Sequence, residues 1–225
     1  MARKAVEDGI HTIVATPHTL NGLYTNPAGQ ISLRVANLQK TLSDKHIELR
    51  LCVGADVHLC PRLLERIENG DATTINDNKK YILLEFPSQA IPTGVKDEIF
   101  TLIVNGITPI ISHPERNPII QHDINILYEF VRMGALSQIT AMSITGDFGE
   151  MVGQCAEMLL TQRLAHVIAS DAHSAVDRPP VLSEAVEAAA KILGSYEDSE
   201  RMVTEMPAAL LSGDVVEIPE PKRAK

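Results

Sequence analysis

An α/β fold, a parallel sheet covered by helices, is what this sequence predicts, and three observations predict it. Short apolar, β-branched runs alternate with longer segments of helical spacing. Several of the longer segments stop at Gly or Asn-Gly, a common helix terminator. No Pro/Gly-rich linker or composition break interrupts the alternation. Residues 1–213 therefore read as one domain, followed by a loosely attached, Pro- and charge-rich tail over 214–225. Alternation of this kind implies parallel strands with helices on the sheet faces.

The elements follow in order. "MARKAVEDG" reads as an opening helix with Ala5 and Val6 as its apolar positions, and no strand precedes it. "HTIVATP" is the first strand, and "SLRVANLQKTLSDK" is the helix that returns from it. "ELRLCVGADV" is the second strand, followed by "CPRLLERIENG", a helix stopping at Asn-Gly. "YILLEFP" and "TGVKDEIFTLIVNG" form the next strand and helix, then "ITPIISH" and "NILYEFVRMG". "SQITAM" with "FGEMVGQCAEMLLTQR", and "AHVIASD" with "PVLSEAVEAAAKILGS", complete the alternation.

Bulk properties exclude several classes. The 225 residues are 44% hydrophobic and 22% charged, with a formal net charge of −9. An acidic chain whose one basic cluster is the tail "PKRAK" repels nucleic-acid phosphates. No apolar run spans a bilayer, and the N-terminus lacks a signal-peptide core. Cys52, Cys60 and Cys155 form neither a zinc spacing nor an even disulfide set, so a reducing cytoplasm is expected. Oligomerisation is left open.

In parallel α/β sheets the chemistry sits at the C-terminal ends of the strands. Here five of the six strand ends carry His, Asp or Glu: His18; Asp56 and His58; Glu85; His113, Glu115 and Arg116; Asp171 and His173. The "SQITAMSITGDFG" end supplies small and hydroxyl residues. His11, His46, His122 and His166 lie at strand starts or in polar segments and read as structural. Several carboxylates and imidazoles in one mouth are costly to bury without a cation. Imidazole plus carboxylate without thiolate suits zinc, manganese or iron. In an extended "DAH", Asp171 and His173 would share one side of the strand.

"TIVATPH", "GADV", "LLEFP", "ISHPERN", "SQITAMSITGDFG" and "IASDAHS…RPP" resemble, in this order, the bacterial PHP-domain (polymerase and histidinol phosphatase) tyrosine phosphatases of capsular and exopolysaccharide operons. The resemblance runs from about Ala5 to about Gly213. It implies a distorted (β/α)7, TIM-like barrel holding up to three metal ions, expected to be Mn2+. It places His18, Asp56, Glu85, His113, Asp171 and His173 on metal-ligand positions. Asp56 stands where the family commonly has Glu, one methylene longer. Arg116 falls on the phosphate-binding arginine, and Arg178 on a second arginine near the substrate. The implied catalytic residues are Arg116, Asp171 and His173. The implied substrate is the phosphotyrosine tail of a bacterial tyrosine autokinase, and the alternatives are a histidinol-phosphate-type small molecule or an inactive phosphate-binding domain. His58 is expected at the rim or in packing.

One departure stands out. The family opens on a strand bearing H-x-H, and the sequence contains no such element. The expectation is a barrel without its first strand, through a late start site or truncation rather than decay, with an unpaired sheet edge.

A rival chemistry is also written in the chain. "CPRLLER", Cys60 to Arg66, fits C-x5-R, the spacing of thiol-based tyrosine phosphatases. A phosphate cradle needs consecutive small residues with free N–H groups, and Pro61 has none. Leu63 and Leu64 have helical spacing with Ile67, so an amphipathic helix is expected there.

Overall fold

The computed structural model describes residues 1–224 and shows eight short parallel strands alternating with helices. The chain opens on α1 (Ala2–Glu7), whose Ala5 is fully buried, as the apolar spacing requires. The first predicted strand is two: β1 (Thr12–Ala15) and β2 (His18–Thr19). After α2 (Ala28–Asp44), the second is also two: β3 (Arg50–Val53) and β4 (Asp56–His58). Pro17, which has no N–H, interrupts the first run. Gly54 interrupts the second, and a Cβ there would lie 2.7 Å from Val14 Cγ1. The two kinks coincide, so β1 pairs with β3, and β2 with β4, as separate ladders.

The remaining elements are α3 (Leu63–Glu68), β5 (Tyr81–Glu85), α4 (Val95–Val104), β6 (Thr108–Ser112), α5 (Pro118–His122), α6 (Asn125–Arg132), β7 (Leu136–Thr140), α7 (Ala141–Thr145), α8 (Glu150–Thr161), β8 (Val167–Ala169), α9 (Ser183–Leu193), α10 (Tyr196–Arg201) and α11 (Glu205–Ser212). The main sheet runs β2-β4-β5-β6-β7-β8, all parallel. Among the described residues β2 and β8 each have one neighbour, so the sheet is curved but open.

Alternation along the strands decides which residues reach the interior. In β5, Ile82 and Leu84 pack outward under the helices with Ile99, Leu102 and Phe130. Tyr81 and Leu83 point inward, with Ile110, Leu136 and Val167 of the neighbouring strands. Ile75 and Leu210 join this inner layer and close the end opposite the strand C-termini. Glu85 follows Leu83 by two residues, so the same periodicity turns it inward at the open mouth.

Several predicted boundaries move. "SQITAM" is not all strand: β7 ends at Thr140 and Ala141 begins α7. The carboxylate of Glu115 accepts the Thr140 N–H, which ends the ladder there. Besides α7, three short helices were not expected. The first, α5, was legible, because Asn117 caps it through Ile119 N–H and Pro118 takes the first turn. The others, α10 and α11, lie after the last strand, and α10 is capped by Ser195.

The tail expected to be loose makes contacts. The Tyr81 hydroxyl donates to the Asp214 carbonyl, Lys222 N–H donates to the Gln162 carbonyl, and Ala224 N–H donates to Asn125 Oδ1. Lys225, the end of "PKRAK", lies outside the described residues. No helix among the described residues is long and apolar enough to cross a membrane.

Candidate metal centre

Strand pairing brings the predicted ligands together. His18 and Asp56 are register partners across β2 and β4, and His58 and Glu85 across β4 and β5. His113 directly follows β6 and takes a left-handed backbone (φ 35), which redirects its ring. Such a conformation in a non-glycine residue is uncommon and collects at functional sites.

Four side chains converge. His18 Nδ1 lies 3.3 Å from Asp56 Oδ2 and 3.2 Å from Glu85 Oε2. His113 Nε2 lies 3.6 Å from Asp56 Oδ2 and 3.5 Å from Glu85 Oε1. Donor atoms of His18, Asp56 and Glu85 all fall within 4.8 Å of one another. His18 Nδ1 is buried and, despite these short distances, makes no hydrogen bond of proper geometry. A hard or borderline divalent cation fits this donor set of imidazole and carboxylate. The shorter side chain at position 56 lies beside both imidazoles, and Ser112 Oγ donates to Asp56 Oδ1 at 2.9 Å.

The electrostatics agree with the geometry. Contact with Asp56 and then Glu85 raises the His18 imidazole to about 10, against a smaller opposing effect of burial. Burial lowers His113, but the same two carboxylates outweigh it and bring it up to about 9. Burial would raise Asp56 and Glu85, yet His113 and His18 hold both below the usual carboxylate range. Positive charge is thus strongly favoured here, and a metal ion taking that place would release protons.

The other predicted residues form a second group. Asp171 does not join the four-residue cluster by direct contact. Its Oδ2 accepts from Arg116 Nη1 at 2.7 Å and from Arg178 Nη2. Arg178 Nη2 also donates to the Asp171 carbonyl at 3.0 Å. The strand ends at Ala169 and Asp171 has φ 46, so "DAH" is not extended and the condition for a shared side is not met. His173 stands between the groups: its ring centroid is 6.1 Å from that of His18, and its Nδ1 lies 2.8 Å from the Asp171 carbonyl. A carbonyl only accepts, so Nδ1 carries the hydrogen, which leaves Nε2 as the atom a metal would use.

His58, expected at the rim or in packing, borders the cluster, with a buried Nδ1 3.7 Å from Glu85 Oε2. Glu115, left without a role by the sequence, is fully buried. Its Oε1 accepts from Thr140 N–H at 2.9 Å and Ser143 Oγ at 2.6 Å. Phe148 was missed altogether: both arginines lie over its ring, and only its place after a strand end hinted at the site.

The thiol alternative is not supported. Arg66 lies on α3 and pairs with Asp71 at 3.0 Å, and burial pushes the Cys60 thiol above its ordinary value.

A family model described as capsular polysaccharide synthesis, CpsB/CapC, matches residues 1–212. Tyrosine-protein phosphatase YwqE of Bacillus subtilis (strain 168) is 35% identical over 228 residues, covering 100% of this chain and 89% of the relative. Tyrosine-protein phosphatase CpsB of Streptococcus pneumoniae is 29% identical over 208 residues, covering 89% of this chain and 84% of the relative. A solved structure from the pair YwqE and CpsB, described as metal-dependent tyrosine phosphatases, superposes with a TM-score of 0.95 at 34% identity. It covers 100% of this chain and 90% of the other.

Proposed function

This chain belongs to the CpsB/CapC family of capsular polysaccharide synthesis, and from that premise we propose that it is a metal-dependent phosphatase of phosphotyrosine. The observation that carries the reading is the convergence of His18, Asp56, Glu85 and His113 at the strand ends, on the side where His173 approaches. The ion would be Mn2+, which these residues would hold, with His173 Nε2 and Asp171 as the remaining ligands. When bound, the ion supplies Lewis-acid charge and an activated water.

The chain's own residues do the rest. Asp56 and Glu85 keep negative charge in the mouth because His18 and His113 hold them ionised. Arg116 and Arg178 receive the phosphoryl oxygens, to which a planar guanidinium presents paired donors. Until then Asp171 gathers both side chains on one carboxylate oxygen. The leaving tyrosinate has a conjugate acid of pKa about 10, so it departs with little proton assistance. The physiological substrate is the phosphotyrosine tail of a tyrosine autokinase that drives capsule or exopolysaccharide synthesis. The three free cysteines fit a cytoplasmic setting.

The test pairs calorimetric Mn2+ titration with hydrolysis of a phosphotyrosine peptide. Metal binding and metal-dependent release of phosphate support the reading, and hydrolysis that survives exhaustive chelation overturns it.

A further inference from the structure

Phe148 belongs to no ligand set, yet it touches both arginines. It sits in the turn Gly146–Gly149 between α7 and α8, closed by Gly149 N–H donating to the Gly146 carbonyl at 2.9 Å. Both glycines have positive φ, 91° and 93°, so this turn needs residues without a Cβ at its two ends. Its neighbours Asp147 and Gly149 are exposed, while Phe148 itself is half-buried. Arg116 Cζ lies 5.1 Å and Arg178 Cζ 5.5 Å from the ring centroid, both within cation–π range. Three loops, those after β6, β7–α7 and β8, therefore meet on one aromatic ring.

The charge arithmetic gives the ring a purpose. Two guanidiniums converge on a single oxygen of Asp171, so the group carries one uncompensated positive charge. A second carboxylate would neutralise it but would also repel a phosphate dianion. The negative face of an aromatic ring attracts both cations without adding a full charge. We propose that Phe148 is a positioning residue that holds Arg116 and Arg178 together as one dianion-binding fork. This rests on the reading above that the two arginines receive the phosphoryl group.

The experiment compares Phe148→Leu, Phe148→Tyr and Phe148→Trp with Arg116→Ala and Arg178→Ala in the Mn2+-loaded protein. Leucine keeps the apolar bulk and removes the ring, while tyrosine and tryptophan keep a π face. For Phe148→Leu, KM for p-nitrophenyl phosphate and the inhibition constant of inorganic phosphate should rise together by about threefold to tenfold. Its kcat and its calorimetric Mn2+ affinity should stay at the parent values. Phe148→Tyr and Phe148→Trp should restore the parent KM. Phe148→Met, which adapts to irregular gaps, repeats the measurement if leucine does not fold. An unchanged KM in Phe148→Leu, with weakened binding in both arginine variants, overturns the proposal and leaves the arginine roles standing. Failure of both aromatic variants to restore KM reduces the ring to packing and also overturns it. Unchanged phosphate affinity in both arginine variants removes the underlying reading and this proposal with it.

Discussion

His18 and Asp56 face each other as register partners across β2 and β4, with His18 Nδ1 3.3 Å from Asp56 Oδ2. Neither residue is near the other in sequence, and the ladder alone sets their spacing. Asp56 is 4% exposed, so its charge is held in the mouth by imidazoles rather than by water. The same carboxylate reaches His113, which links three strands through one side chain.

Glu85 contacts His18 and His113 and borders His58. Glu85→Gln keeps the volume and removes the negative charge that a divalent ion requires. Mn2+ affinity is expected to fall at least about tenfold, since changes even to outer partners of metal sites cost about 10–100-fold. Isothermal calorimetry reads the affinity, and phosphotyrosine-peptide hydrolysis should fall in parallel.

Cys60→Ser should leave kcat/KM unchanged. The partner in the C-x5-R spacing, Arg66, is engaged with Asp71 on the surface of α3. A loss of phosphatase activity on this change would revive the thiolate mechanism.

His166 is buried at the start of β8, where its Nδ1 accepts the Ser137 N–H. Burial lowers its pKa to about 4. The unfolded chain, near 6.5, binds the proton first as pH falls. Stability from this residue is therefore present above about 6.5 and lost as pH drops toward 4, by about 3 kcal/mol at most. Urea denaturation from pH 7 to 4 should show His166→Gln losing less stability than the parent over that window.

Glu115→Ala should destabilise the fold without touching a ligand. It strands the Thr140 N–H and the Ser143 hydroxyl inside the protein, at about 1–3 kcal/mol for each buried group left unpaired. Denaturant titration measures the loss. Glu115→Gln, which retains an acceptor oxygen, should lose less.

Much of the architecture was legible because its causes are local. Helix stops at glycine and the two-residue period of β5 act within a few residues. The kinks at Pro17 and Gly54 were less legible. Each would pass for a minor irregularity, and only the close approach of the two chains shows why both strands break at one level. The polar strand ends were readable as a site, because buried imidazoles and carboxylates at the open mouth of a parallel sheet require a partner.

How those ends divide was decided by tertiary structure. By itself the sequence determined the strand order of His18, Asp56, Glu85 and His113, and the alternation that turns them inward. The fold decided that the Asp171 carboxylate, carried past the end of β8 with φ 46, pairs with Arg116 and Arg178 rather than with His18 or His113. It also decided that Glu115 ties β6 to α7, and that Phe148 lies under two guanidiniums. The physical reason is range: periodicity and caps are written within a turn or two of chain. Contacts between loops after different strands depend on backbone directions that no single segment specifies.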